Sequence, residues 1–295
     1  IDEIFNIRTA GGIGAVAAAG LLSVLAVRRR KQQRERKAGQ RIAMPSGDAE
    51  TMELELRAVE ERLGIDDVDH ALRHLAVWAQ DSDNALPPLY ALRLAEDGIS
   101  LFLDAPTDLP APFAADSEDR TAWSVDPRQL PPLTRTPSAP YPALVTIGQD
   151  PLNAHLLVDL EFIGALNLAG NEALVGGAMN ALAIELATSQ WGEDLRVTLV
   201  GVAPGLPVAL DTGRVRHVDD VDRLLEELRA QAADTDRTLA ELGVESIEEA
   251  RSTGVDAEGW FPEIVLLGDL PAPEQAAELA ELVTRVPRVG IAAVS

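Results

Sequence analysis

The sequence predicts an α/β protein with an N-terminal transmembrane helix, a small α+β segment and then a mainly parallel, three-layer sheet domain. Three observations give this prediction. Residues 10–27 are apolar and uncharged, residues 49–142 combine helical periodicity with a hairpin pattern, and apolar strand-like segments alternate with helices after residue 143. A chain of 295 residues that is 46% hydrophobic can bury such cores. Because it has no cysteine, disulfides, thiolate metal sites and cysteine nucleophiles are excluded.

The first element is the run AGGIGAVAAAGLLSVLAV at residues 10–27, which is near the shortest length that crosses a bilayer. Within it Gly12, Gly14 and Ala17 match the dinucleotide-binding pattern GxGxxA. A dinucleotide-binding site also needs a preceding strand and an acidic residue about 20 positions further on. No strand precedes this match, and basic residues occupy the place of that acidic residue. We therefore interpret the run as a membrane span. The alternative is a buried helix of a soluble core. Small residues four apart also permit close helix packing, so a homo-oligomer is one expectation.

The second element is the basic stretch RRRKQQRERKAGQR at residues 28–41, which carries a net charge of +7. By the positive-inside bias, residues 28–295 are expected on the cytoplasmic side of the cell membrane. We expect seven of its residues to contact anionic lipid headgroups. They are Arg28, Arg29, Arg30, Lys31, Arg34, Arg36 and Lys37.

The remainder of the chain is strongly acidic. Subtracting the +7 of the basic stretch and the −1 of residues 1–27 from the net charge of −23 leaves −29 for residues 42–295. A body with this charge repels phosphate backbones, so we expect no direct nucleic-acid binding by it.

The third element, residues 49–142, is predicted to be small and mixed. Residues 49–63 and 66–80 have helical periodicity and form a predicted helical hairpin. Alternating apolar residues on both sides of Asp97-Gly98 predict a β-hairpin. Nine prolines between residues 104 and 142 predict extended loop with a short strand around Trp123.

The fourth element, residues 143–295, alternates strands and helices, which favours a parallel sheet covered on both faces. Sheets of this kind bind ligands beyond the carboxyl ends of their strands. The predicted helices are residues 178–189, 221–242, 247–253 and 273–285. The predicted strands are residues 144–147, 155–160, 165–168, 196–202, 215–218, 263–267 and 289–294.

Several segments of this fourth element resemble the RecA-like core of FtsK/SpoIIIE-type ATPases and their type VII secretion relatives. The segments "LVTIGQDPLNAHLLVDL" and "GALNLAGNEALVGGAMNALAIELA" are similar to the region around their phosphate loop, and "PEIVLLGDL" is similar to their Walker B strand. Together with the span and the basic stretch, the chain also resembles the middle portion of actinobacterial membrane proteins that carry a LysM peptidoglycan-binding module and a bacterial transcriptional activator domain.

The resemblance implies a phosphate loop, but the residues that would serve one are missing. Such a loop needs a lysine for the β/γ-phosphates and a hydroxyl for Mg²⁺. After Gly170 these positions fall on Gly176 and Gly177, or on Gly177 and Ala178, and Glu172 adds a negative charge beside them. We therefore interpret the stretch as a degenerate phosphate loop. The alternative is a glycine turn in an unrelated α/β protein.

The Walker B-like strand is altered as well. Gly268 stands where the resemblance implies the metal-binding aspartate, and Asp269 stands at the position of the catalytic acid. One carboxylate without lysine, hydroxyl or second acid cannot assemble a magnesium and phosphate clamp. We therefore expect no catalytic residues, no cofactor and no bound metal at this site.

Histidines offer two further candidate sites. His70 and His74 are four residues apart on a predicted helix, the spacing at which two imidazoles can share a metal, and Asp66 lies one turn earlier. Zinc catalysis needs a third strong ligand and an acid in a defined motif, which this pattern does not give. We expect two solvated histidines there. His155 and His217 are the remaining candidate bases, but no G-x-S-x-G elbow is present to support Ser/His/Asp catalysis. We expect both histidines to lie in or beside strands.

The sequence thus predicts four parts and no enzyme activity. The expected function is that of a membrane-anchored pseudo-ATPase-like scaffold or signal-relay module that contacts the bilayer and other protein domains. A subunit of an FtsK-like or type VII secretion-like translocase, and a nucleotide sensor without hydrolysis, are the alternatives. The predicted parts are residues 1–27 with the span, the basic linker 28–48, the mixed segment 49–142 and the degenerate FtsK-like domain 143–295.

Overall fold

The computed structural model describes residues 64–192, 195–253 and 261–295. The predicted membrane span, the basic stretch and the first helix of the predicted helical hairpin lie outside these ranges. Within them, the structure contains no helix that combines the length and the apolar character needed to cross a membrane.

One sheet of the protein is antiparallel and has six strands in the spatial order β3-β4-β2-β1-β6-β5. The predicted hairpin is confirmed, because Ala95 pairs with Gly98 across the turn. The strand predicted around Trp123 is also present. The six strands are β1 (Leu89–Ala95), β2 (Gly98–Leu103), β3 (Ala114–Ala115), β4 (Ala122–Val125), β5 (Leu144–Gln149) and β6 (His155–Asp159).

The second sheet is parallel and has five strands in the order β7-β11-β10-β8-β9. Its strands follow the predicted segments, although several end earlier than predicted. His155 begins β6 and His217 ends β9, so both histidines lie in strands as expected. The five strands are β7 (Ala165–Leu166), β8 (Arg196–Val200), β9 (Val215–His217), β10 (Glu263–Leu267) and β11 (Ile291–Val294).

Helices connect and cover the two sheets. The longest helix begins after Asp220, whose carboxylate accepts a hydrogen bond from the Arg223 backbone, and it ends at Gly243 in the left-handed conformation. A short 3₁₀ helix covers Pro127–Gln129. The α-helices are α1 (Ile65–Ser82), α2 (Leu160–Ile163), α3 (Glu172–Thr188), α4 (Leu206–Leu210), α5 (Val221–Leu242), α6 (Ile247–Ser252) and α7 (Pro273–Val283).

The side chains of the antiparallel sheet alternate between two hydrophobic cores, as the two-residue period of a strand requires. Leu92, Leu101 and Leu144 face α1 in one core. Ala91 and Val145 belong to the other core, which contains α3 and one face of the parallel sheet. Helix α3 is therefore packed between the two sheets, which explains why its sequence is apolar around most of its circumference.

The opposite face of the parallel sheet packs against α5 and α7. Ile264 and Leu266 of β10 point toward α3, whereas Val265 and Leu267 join the core formed with α5 and α7. The order of layers is thus α1, antiparallel sheet, α3, parallel sheet, and the pair α5 and α7. The predicted α/β class is confirmed at this level, with one antiparallel and one parallel sheet.

The first two strands predicted for the parallel sheet lie in the other sheet. β5 and β6 form an antiparallel hairpin, and β6 pairs with β1. The prediction of a parallel arrangement was wrong for them because residues 150–154 are only five residues long. A crossover between parallel strands needs about a dozen residues.

Candidate functional site

The candidate site lies at the carboxyl edge of the parallel sheet, where β7 leads into α3 and β10 leads toward α7. β11 lies between β7 and β10. Two strand spacings of roughly 4.8 Å therefore separate the two connections, about 10 Å in total. The order of strands brings the stretch that we interpreted as a degenerate phosphate loop and the Walker B-like strand to one edge of the sheet.

The loop of the candidate site is shorter than predicted, because α3 begins at Glu172 rather than at Ala178. Asn171 caps the helix, and its side-chain oxygen accepts a hydrogen bond of 2.9 Å from the Ala173 backbone. Gly176 and Gly177 consequently lie inside the helix and not in a loop. Only residues 167–171 connect β7 to α3, and one of the amides that could bind a phosphate is already occupied.

Space for larger side chains exists at the two helical glycines. A Cβ atom built at Gly176 or Gly177 would have no neighbour within 4 Å. The missing lysine and hydroxyl are therefore not excluded by packing. The chain has only two lysines, Lys31 and Lys37, and both precede the described residues.

The connections at this edge carry negative charge and no basic residue. Residues 167–172, 201–205, 218–220 and 268–272 contain neither lysine nor arginine. A bound triphosphate would meet only like charges in these connections, which disfavours its binding. The acidic residues of the four connections are Glu172, Asp219, Asp220 and Asp269.

Gly268 is closely packed against the connection that follows β8. The paired strands bring Leu267 opposite Val200, so that Gly268 and Gly201 follow at equivalent positions. A Cβ atom at Gly268 would lie 2.5 Å from the Gly201 carbonyl oxygen. The Asp269 carboxylate extends over Gly201, because its Oδ2 atom would lie 2.7 Å from a Cβ atom there. The Gly201 backbone therefore leaves no space for an aspartate side chain at position 268.

This packing predicts that the site cannot be restored by returning the missing residues. We expect Gly268→Asp to lower the free energy of unfolding by about 1–3 kcal/mol through overpacking. We also expect no ATP hydrolysis in the triple variant that adds Gly176→Lys and Gly177→Thr. Gly205→Ala is a matched control, because a Cβ atom there meets nothing within 4 Å. Chemical unfolding and a phosphate-release assay provide the two measurements, and turnover by the triple variant would contradict the prediction.

Comparisons with known proteins leave the family of this chain open. No family model matches this chain. No curated protein matches it either. Among solved structures, the conjugation coupling protein TcpA of pCW3, in its monomer form with ATPγS, is weakly similar, with a TM-score of 0.38 and 17% sequence identity. The similar region covers 77% of this chain and 75% of that chain. The LysM-type architecture stays a prediction.

The histidine pair on α1 differs from the expected solvated residues. His70 and His74 are half-buried, and their Nε2 atoms are 3.1 Å apart. Burial lowers the pKa of His74, while its hydrogen bond with the Pro131 carbonyl acts in the opposite direction. Within the described part of the chain, no group of three or more histidine and acidic side chains is arranged to bind a metal.

Two groups of buried carboxyls with a raised pKa lie away from the carboxyl edge. Glu185 of α3 is fully buried, and this burial raises its pKa to about 8. Asp159 and Glu161 are buried where the chain passes between the sheets, and burial raises the pKa of both. Arg251 forms a bidentate ion pair with Glu161, at 2.8 and 3.0 Å, which opposes that shift. Because these groups are enclosed by the core, we assign them a structural role.

Sequence reasoning did not identify Gly201 or Asn171. A signal for Gly201 was present, since β8 and β10 both end in an apolar run followed by glycine, VTLVG and IVLLG. In adjacent parallel strands such a pair indicates close backbone packing at the carboxyl edge. Asn171 is a preferred N-cap residue directly before Glu172, which indicates the earlier start of α3.

Proposed function

We propose that this chain is a non-catalytic, membrane-tethered interaction module, and that the carboxyl edge of its parallel sheet binds a protein partner in place of a nucleotide. The observation that carries the proposal is the close packing of Gly268 on Gly201, which leaves no space for a carboxylate side chain at position 268. The absence of basic residues from the four connections supports it.

Exposed apolar side chains at the same edge support a protein partner. Leu174 in the first turn of α3 is 65% exposed, Val208 in α4 is 84% exposed, and Leu270 after β10 is 83% exposed. Single exposed apolar residues are common, but three at one edge of a sheet support this edge as the surface for a protein contact. We name Leu174, Val208 and Leu270 the apolar edge.

The charges around the apolar edge define the chemistry of the partner. Asp269 directly precedes Leu270, Glu172 lies two residues before Leu174, and Asp219 and Asp220 follow β9 at the same side of the sheet. A partner segment that combines apolar side chains with lysine or arginine complements both properties. We therefore propose a basic, amphipathic segment of another protein as the partner.

Site-specific photo-crosslinking in cells that produce the full chain tests this surface. A photoreactive residue is placed in turn at positions 174, 208 and 270, and at position 281 as a control. Glu281 is exposed near the end of α7, toward the opposite edge of the sheet. We expect the three edge positions to cross-link to one basic, amphipathic segment of a single partner protein. Asp269→Arg should reduce the yield of these cross-links at least tenfold. Equal yields from all four positions would contradict the proposal.

The membrane tether is part of the same proposal. It is supported by the uncharged run at residues 10–27 and by the +7 charge of residues 28–41. Carbonate extraction of membranes provides the test: we expect the full chain to stay in the pellet and a variant without residues 1–27 to be released. Release of the full chain would contradict a transmembrane anchor.

A further inference from the structure

The histidine pair on α1 forms a three-atom cluster with a backbone carbonyl. The Nε2 atoms of His70 and His74 are 3.1 Å apart. The Pro131 carbonyl oxygen is 3.0 Å from Nε2 of His70 and 2.7 Å from Nε2 of His74. Three atoms that can each donate a lone pair thus lie within about one hydrogen-bond length of one another.

No arrangement of protons makes all three contacts hydrogen bonds. If both Nε2 atoms carry a proton, both can donate to the Pro131 carbonyl, which has two lone pairs, but the two N–H donors then lie 3.1 Å apart with no acceptor between them. If one Nε2 atom is unprotonated, it can accept a hydrogen bond from the other histidine, but its lone pair then faces the carbonyl oxygen. A cation that accepts all three lone pairs removes the unfavourable contact.

We propose that His70, His74 and the Pro131 carbonyl bind one transition-metal ion of the kind that prefers imidazole, such as Zn²⁺. Each distance in the cluster is shorter than twice the Zn–N bond length of roughly 2.0–2.1 Å, so one ion can contact all three atoms. The i, i+4 spacing places both imidazoles on one helix face. Water completes the coordination, which makes the site weaker than a closed four-ligand site.

The ligands are held in place by the fold. His70 and His74 project from a helix whose opposite face is buried against the antiparallel sheet. The carbonyl ligand follows Leu130, which is buried, and a 3₁₀ helix capped by the Asp126 carboxylate. Pro131 is itself followed by a proline, and the two rings restrict the backbone on both sides of the carbonyl.

The bound ion would join α1 to the segment between the 3₁₀ helix and β5. Other contacts already connect the two, since Arg135 pairs with Asp81 and Arg73 donates to the Pro137 carbonyl. A metal ion adds a cross-link between elements about 60 residues apart in sequence. This inference is independent of the proposed function, because α1 packs on the antiparallel sheet and not at the carboxyl edge.

Zinc titration of the full chain, purified without a histidine tag, tests the site. Binding of Zn²⁺ to the folded state raises Tm by mass action, and we expect a rise of about 3–6 °C at ten times Kd. Mg²⁺, which does not prefer imidazole, should give no rise. His70→Gln and His74→Gln should each abolish the rise, and His217→Gln should preserve it.

The zinc-dependent increment in Tm is the readout, because the substitutions also remove contacts to Pro131. Each variant is therefore compared with its own zinc-free Tm. X-ray absorption at the zinc edge should show two imidazole ligands per bound ion. An equal increment in His70→Gln or His74→Gln, a spectrum without imidazole ligands, or no increment at 1 mM Zn²⁺ would overturn the proposal.

Discussion

Gly164→Ala should destabilise the protein by about 3 kcal/mol or more, because two unfavourable effects combine at this residue. Gly164 has a φ of 75° at the point where the chain passes from α2 into β7, and hence from one sheet to the other. A Cβ atom there would overlap the Val283 carbonyl oxygen at the end of α7, and it would lie 2.7 Å from the Arg288 guanidinium.

Gly213→Ala is a matched control for this prediction. Gly213 has nearly the same φ, 77°, but a Cβ atom there meets nothing within 4 Å. Its replacement therefore measures the penalty of a positive φ without a steric clash, about 1–2 kcal/mol. Denaturant unfolding of the two variants separates the steric contribution from the conformational one. Equal losses of stability would show that α7 does not pack against Gly164 as described.

Glu185→Gln should stabilise the protein at alkaline pH and have little effect at pH 5. The Glu185 Oε1 atom accepts hydrogen bonds from the backbone and hydroxyl of Thr146, at 2.8 and 2.9 Å. Its Oε2 atom is buried and has no hydrogen-bond partner in the described part of the chain. Glutamine keeps the accepting oxygen and removes the buried charge, which is the costly form of the group.

The pH range of this effect follows from the raised pKa. Burial raises the pKa of Glu185 from an ordinary value of 4.5 to about 8. As pH rises, Glu185 loses its proton at a lower pH in the unfolded chain than in the folded protein. The stability that the protonated group contributes is therefore complete below pH 4.5 and is lost as pH rises to about 8. We expect the variant to exceed the wild type by on the order of 3 kcal/mol at pH 9.

Unfolding curves measured between pH 5 and pH 9 check this prediction. The relevant quantity is the difference in free energy of unfolding between the variant and the wild type, since other buried carboxyls titrate in both. Glu281→Gln is the control, because that carboxyl is exposed. A difference for Glu185→Gln that does not change with pH would contradict the assignment of a raised pKa to this residue.

Most strands and helices could be predicted because local signals agreed with the final packing. Asp97-Gly98 produced the predicted hairpin, and α5 and β10 have the predicted bounds. The short helix α4 and the two-residue β3 were not predicted, since neither is long enough to show a period. The assignment of β5 and β6 to the antiparallel sheet required attention to loop length rather than to strand pattern.

The candidate site was only partly predictable for a different reason. The missing lysine, hydroxyl and aspartate could be read directly from residues 170–177 and 268–269. The close approach of Gly201 to Gly268 could not, because it depends on the parallel pairing of β8 with β10. The cluster of His70, His74 and Pro131 also required the structure, since its third atom is a backbone carbonyl about 60 residues away.

Calorimetric titration of the full chain with Mg-ATP tests the central claim most directly. The claim is that an edge whose four described connections contain no lysine or arginine, and whose Gly268 packs against the Gly201 backbone, cannot bind a magnesium-bound triphosphate. We predict no binding heat at millimolar Mg-ATP. Saturable binding with micromolar Kd, lost on substitution of Asp269, would contradict it.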